Sequence, residues 1–186
     1  MIYALLDKEV LNQKDLSLMV LAKKIQTLQI PIAQYRNKSG SLSEKALDLQ
    51  IIRKFYKGTL IINDTIELID EADGLHIGQE DIRMYSENLK QSIALIRQKI
   101  GSKLLGLSTH NKEEILEAND LDLDYIGLGA YRGTKTKEEA KVLGKEALLL
   151  AKLSKHPVGL IGGVKQSDTF PLQITYRVIG SNLYED

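Results

Sequence analysis

The sequence has no cysteine among its 186 residues. Disulfides and cysteine-based zinc sites are therefore excluded, and the composition suits a reducing compartment. Net charge is also missing, since Lys+Arg and Asp+Glu both number 25. No long-range positive field exists to gather nucleic acid, so no nucleic-acid partner is expected. No stretch approaches the roughly 18 apolar residues of a membrane span. The segment MIYALLDKEV lacks a basic start, and Asp7 and Lys8 stop its apolar run, so it does not read as a signal peptide. A soluble cytoplasmic protein with no membrane partner is expected. The Gly-x-Gly-x-x-Gly turn of dinucleotide-binding sheets is absent, because Leu6 is followed by Asp7, Lys8 and Glu9. Linkers, low-complexity tracts and repeats are missing too, so residues 1–186 read as a single domain.

What is present is an alternation. Short apolar runs occur at Ile2–Leu6, Pro31–Arg36, Thr59–Asn63, Asp73–Ile77, Lys103–Leu107, Asp124–Gly129, Pro157–Ile161 and Thr175–Ser181. Their near-continuous apolarity marks strands buried on both faces, as in parallel sheets. Helical stripes lie between them. Leu18, Leu21, Ala22, Ile25 and Leu28 share one face, as do Leu89, Ile93, Ile96 and Ile100. Ser41 and Glu44 form a capping box ahead of Leu47, Ile51 and Phe55, and Asn111 with Glu114 cap a helix carrying Ile115 and Ala118. Leu143, Ala147, Leu148 and Ala151 continue the series. Eight strands alternating with helices predict an α/β fold, a compact (β/α)8 TIM barrel. The chain is short for that architecture, which usually needs about 200–250 residues or more. The shortfall falls at the end. Val164–Ile174 contains Pro171 and little helical periodicity, and few residues follow Ser181, so the last helices are expected to be shortened or missing.

In such barrels the active site is built at the C-terminal ends of the strands. The second strand runs into Gln34-Tyr35-Arg36-Asn37-Lys38, and alternation puts Gln34, Arg36 and Lys38 on one side. Two cations there would attract an anion, although solvated loop charges would look the same. The third strand ends at Asn63-Asp64, and the fourth runs into Gly78-Gln79-Glu80-Asp81. Asp64 and Asp81 offer hard oxygens from adjacent strands, suited to Mg2+ facing phosphate oxygens; Asp81 as a simple helix cap is the plainer alternative. The fifth strand ends at Ser108-Thr109-His110, and the sixth leads to Thr134-Lys135-Thr136-Lys137. Hydroxyls with lysine form a second anion cradle. Gly162-Gly163 and Gly180-Ser181 end the last two strands, the usual phosphate site of this fold. Together these clusters predict two anion sites and one metal site around one mouth, acting on phosphorylated small molecules.

Gln34-x-Arg36-x-Lys38, Ile61-Ile62-Asn63-Asp64, Ala72-Asp73-Gly74-Leu75-His76-Ile77-Gly78-Gln79-x-Asp81, Gly106-x-Ser108-x-His110, Asp124-Tyr125-Ile126-Gly127-x-Gly129 and Thr134-x-Thr136-Lys137 occur in one order. By these motifs, with Ile161-Gly162-Gly163, the chain resembles the thiamine-phosphate synthases over nearly its whole length. The resemblance implies a Mg2+-dependent transferase that joins hydroxymethylpyrimidine diphosphate to a thiazole phosphate and releases diphosphate. It implies that Arg36, Lys38, Asn63 and Lys137 bind the diphosphate and that Asp64 and Asp81 hold Mg2+. Gln34 and Ser108 would sit at the pyrimidine, and Thr134, Thr136, Gly163, Gly180 and Ser181 at the thiazole phosphate. One departure is that the family's Gly-Pro-x-x-Pro reads Gly129-Ala130-Tyr131-Arg132-Gly133 here, so that loop is expected to be looser.

Two rival functions share the fold. A thiazole tautomerase would use His110 as its acid–base group and need no diphosphate site. A non-catalytic barrel would only bind thiazole or thiamine phosphate. The full Gln-x-Arg-x-Lys, Asn-Asp and Thr-x-Thr-Lys set favours the synthase. His76 reads as a core histidine and His156 as a loop residue. Missing outer helices are expected to bare apolar barrel surface, which predicts a homodimer.

Overall fold

The computed structural model describes residues 1–133 and 142–184. Its strands are β1 (Ile2–Asp7), β2 (Ile32–Arg36), β3 (Thr59–Asn63), β4 (Gly74–Ile77), β5 (Leu104–Thr109), β6 (Tyr125–Leu128), β7 (Val158–Leu160) and β8 (Ile174–Ile179). All are parallel and close in chain order, with β1 beside β8 through Ile2–Arg177, Tyr3–Val178 and Ala4–Ile179. The eight apolar runs thus fold as the eight staves of a TIM barrel, and β4 and β6 are buried at every residue.

The connecting helices are α1 (Lys8–Gln13), α2 (Leu18–Thr27), α3 (Leu42–Phe55), α4 (Gln79–Ile82), α5 (Leu89–Ile100), α6 (Lys112–Ala118) and α7 (Glu146–Leu150). They pack against the outer strand faces in one large apolar core. A smaller cluster fills the barrel interior, built on Tyr3, Ile32, Ile61, Tyr125 and Val178. The Ser41–Glu44 capping box starts α3 in both directions, as its spacing requires. The buried stripe of α3 differs from the expected one. Asp48, Leu49 and Ile52 face inward, while Leu47 and Ile51 face out. Asp48 sets that rotation, because its carboxylate accepts from Tyr35 Oη at 2.6 Å and from Lys8 Nζ at 2.9 Å.

The closing side is reduced as expected. Between β7 and β8 no helix forms among the described residues, and only a 3-10 turn, Ser181–Leu183, follows β8. The expected bare surface on the closing strand is not found. Ile174 and Ile179 are buried, and Arg177 is tied to the carbonyls of Gln166 and Asp168 at 2.9 and 2.7 Å. The irregular segment ahead of β8 thus does part of the missing helix's covering. Tyr184 completes the closure by donating to Leu5 O at 2.6 Å and accepting from Asp7 N at 3.1 Å.

Candidate active site

A cavity of about 170 Å³ opens at the C-terminal ends of the strands. Gln34, Arg36, Lys38, Asn63, Asp64, Ser108, His110, Gly163, Gly180 and Ser181 all line it. Asp81 stands beside this lining and joins it through Lys38. Thr134, Thr136 and Lys137 lie outside the described residues. The barrel therefore brings every described candidate to one mouth.

On the β1–β4 side the charges are paired. Arg36 donates to Asp7 Oδ2 at 2.6 Å and lies 3.5 Å from Glu9. Asp7 is buried, stands directly opposite Arg36 in the β1–β2 register, and also caps α1 by accepting from Glu9 N and Val10 N. Lys38 Nζ sits 3.3 Å from Asp64 and 3.5 Å from Asp81. Burial pulls its pKa down, but the two carboxylates outweigh it and leave the ammonium above its ordinary value. The expected pair of open cations is thus two ion-paired cations, because the strand ends that supply them also supply acids.

Asp64 has an unusual backbone, with φ +57° in the left-handed region. Its N–H donates to His76 O at 2.8 Å, and its Oδ1 accepts from Gly78 N at 3.0 Å. These two bonds from β4 and its end hold the strained turn and aim the carboxylate. A Cβ on Gly78 would come 2.9 Å from Asp81 Oδ2 and 3.8 Å from Asp64 Oδ1, so glycine leaves the space between the acids open. Among the described residues no group of three or more His, Asp or Glu gathers as a metal cage. The two carboxylates fit Mg2+ nonetheless. Lys38 already finds oxygens of both within reach of one cation, and Mg2+ takes one or two carboxylates with water and substrate phosphate. Asp81 lies inside the first turn of α4, whose cap is Gly78, so it is not the cap of that helix.

On the β6–β8 side the wall is mostly backbone. Gly162 and Gly163 have φ +95° and +59°, conformations that L side chains resist. A Cβ on Gly163 would fall 2.7 Å from Arg132 Cβ. Arg132 holds this loop: it donates to Gly163 O at 2.8 Å and to both oxygens of Asp168 at 2.6 and 3.0 Å. The hydrogen bond from Arg132, ahead of other causes, holds the Asp168 carboxyl below its ordinary range. The loop expected to be loose without its prolines is instead pinned by the arginine that came with the change.

His110 sits at the rim, its Nδ1 3.0 Å from Glu114 Oε2 and its side chain 41% exposed. His156 Nε2 donates to Ala118 O at 2.9 Å, as a loop residue would. Two groups escaped the sequence reading. Asp7 ends the first strand, and a polar residue closing an apolar run is the signal that marks it. Tyr3, Tyr125 and His76 sit in apolar runs, yet they meet just beneath the cavity, which His76 lines, and make one polar network there.

A family model for thiamine monophosphate synthase matches residues 2–173. The thiamine-phosphate synthase of Persephonella marina is 32% identical over 174 residues, 90% of this chain and 78% of that protein. That of Dictyoglomus thermophilum is 35% identical over 180 residues, 88% of this chain and 77% of that protein. Among solved structures, the thiamine phosphate pyrophosphorylase of Pyrococcus furiosus superposes with TM-score 0.77, covering 97% of this chain and 85% of that one at 20% identity. That likeness speaks for the fold.

Proposed function

The chain belongs to the thiamine monophosphate synthase family, and from that premise we propose how its mouth works. It is an enzyme, a transferase of thiamine biosynthesis that makes thiamine phosphate. The bond between the pyrimidine methylene and its diphosphate breaks, the electron pair leaves with diphosphate, and the thiazole nitrogen attacks the methylene cation. No protein nucleophile is needed. The protein orients both partners and stabilises the charge that develops on the leaving group.

In this reading Arg36, Lys38, Asn63 and Lys137 receive the diphosphate, and Asp64 and Asp81 hold Mg2+. When bound, Mg2+ supplies positive charge against the departing diphosphate oxygens. Gln34 and Ser108 orient the pyrimidine. Thr134, Thr136, Gly163, Gly180 and Ser181 hold the thiazole phosphate. The observation that carries the reading is Lys38 bridging Asp64 and Asp81 at the edge of a cavity lined by Gln34 and Ser108. The test is direct. Thiamine phosphate should form from both substrates only when Mg2+ is added, and should vanish in Asp64→Ala. Formation without Mg2+, or undiminished in Asp64→Ala, would count against it.

The proposal extends to a cytoplasmic homodimer. Val20 on α2 and Leu47 and Ile51 on the adjacent α3 are exposed apolar side chains that a second copy would cover. No helix among the described residues is long and apolar enough to cross a membrane. Sedimentation at micromolar concentration checks the dimer, and a monomer there contradicts it.

A further inference from the structure

One continuous hydrogen-bond chain crosses the floor of the mouth. It runs from Asp64 through Asn63, Gln34, Tyr3, Tyr125 and His76 to Ser108. Asn63 Nδ2 donates to Asp64 Oδ2, and Gln34 Nε2 donates to Asn63 Oδ1 at 2.8 Å. Tyr3 Oη donates to Gln34 Oε1 at 3.3 Å and meets Tyr125 Oη at 2.9 Å. Tyr125 Oη is 3.0 Å from His76 Nδ1, and His76 Nε2 is 3.0 Å from Ser108 Oγ. Six strands contribute: β3, β2, β1, β6, β4 and β5.

The direction of every bond follows from one end. Asp64 only accepts: from Gly78 N on Oδ1, and from Lys38 and Asn63 on Oδ2. Asn63 must therefore turn its nitrogen to Asp64 and its oxygen to Gln34. Gln34 must donate there and keep Oε1 for Tyr3. The single hydroxyl hydrogen of Tyr3 goes to that oxygen, so Tyr125 provides the hydrogen between the two phenols. Tyr125 then has none left for His76, and the bond between them takes its hydrogen from Nδ1. Burial, the largest cause in both cases, pushes the two phenols well above their ordinary range, so each keeps the hydrogen this count needs.

The ring position is also built. His76 is 8% exposed and stacks on Tyr125 with ring centroids 5.5 Å apart. Glycines on β5 and β6 clear its space: a Cβ on Gly106 would lie 2.6 Å from His76 Nδ1, and one on Gly127 would lie 3.1 Å from Cε1. Charging a ring this enclosed between hydroxyls is costly.

We infer that His76 is held as the neutral Nδ1–H tautomer, so that Ser108 Oγ donates to His76 Nε2 and turns only lone pairs toward the ligand. Ser108 is then an obligatory acceptor, and the pyrimidine subsite selects an amino substituent over an oxo one. Tyr3, Tyr125 and His76 are positioning residues that act through Ser108. The ligand half of this inference rests on the placement of the pyrimidine at Ser108 proposed above; the tautomer half does not.

The tautomer is read by 15N NMR of the intact protein at neutral pH. Only three histidines are present, and His76→Gln assigns the signal by its loss. The expected spectrum shows His76 protonated at Nδ1 and bare at Nε2, and Tyr125→Phe moves population toward the Nε2–H form. An Nε2–H or doubly protonated ring in the unaltered protein overturns the inference, whether or not Tyr125→Phe folds. In coupling assays, kcat/KM should favour the amino- over the oxo-pyrimidine diphosphate by about 10²-fold or more, and Tyr125→Phe should narrow that ratio roughly tenfold. An unchanged ratio overturns the selectivity. A protein with the Nδ1–H tautomer that makes no thiamine phosphate overturns the proposed function while leaving the relay standing.

Discussion

The two sides of the mouth prepare for an anion in opposite ways. The β1–β4 side is made of charged side chains that already hold one another: Arg36 with Asp7, and Lys38 with Asp64 and Asp81. The β6–β8 side, where described, is made of glycine backbone fixed from outside by Arg132 and Asp168. An anion arriving on the first side must exchange partners with carboxylates, so a cation there has work to do in balancing charge. An anion arriving on the second meets a surface already shaped. The comparison teaches that substitutions on the first side should act on turnover, with stability also lost where a buried carboxylate such as Asp7 is removed, and those on the second on binding and local stability.

Four substitutions sharpen or break that contrast. Asp64→Ala should have the largest effect, lowering kcat by about 10²–10³-fold, as loss of one charge-stabilising group in an active site does. Steady-state assays across Mg2+ concentrations check it, and the residual activity should no longer respond to Mg2+. Asp7→Ala comes next. It removes the cap of α1 and leaves the Arg36 guanidinium with only the longer Glu9 contact, so denaturant unfolding should show a loss of about 2–3 kcal/mol. Gly163→Ala forces a side chain into φ +59° and against Arg132. It should cost about 1–2 kcal/mol and raise KM for thiazole phosphate roughly tenfold, with kcat little changed. A fall in kcat alone would break the contrast.

Asp168→Asn should be mildest, about 1 kcal/mol, since Arg132 is partly exposed and solvent screens the pair. Its pH dependence has a definite sign. The folded-state pKa of Asp168 is depressed, first by the Arg132 hydrogen bond. The contribution is therefore complete above the ordinary carboxyl value of about 3.9 and is lost as pH falls through the lower folded value. Urea titrations of both proteins should differ at neutral pH and converge in acid.

Much of this was legible in the sequence. The strands were, because a stave buried on both faces has little choice but a continuous apolar run, as Thr59–Asn63 shows. The start of α3 was, because a capping box is local chemistry. Its buried face was not, because Asp48 is drawn inward by Tyr35 and Lys8, which are distant in sequence. The same limit hid the partners of Arg36: Asp7 reaches it only once β1 lies beside β2. His76 read correctly as buried, but its place in a polar network depends on Tyr3 and Tyr125 arriving from strands far along the chain. The Arg132 anchor was invisible because Asp168 lies across the β6–β7 gap.

A crystal structure of the protein with thiamine phosphate, diphosphate and Mg2+ tests the central claim most directly. The account predicts diphosphate against Arg36 and Lys38, with the metal on Asp64 and Asp81, and the monophosphate against Gly163, Gly180 and Ser181. Diphosphate seated at the glycines, or a metal that touches neither aspartate, would contradict it.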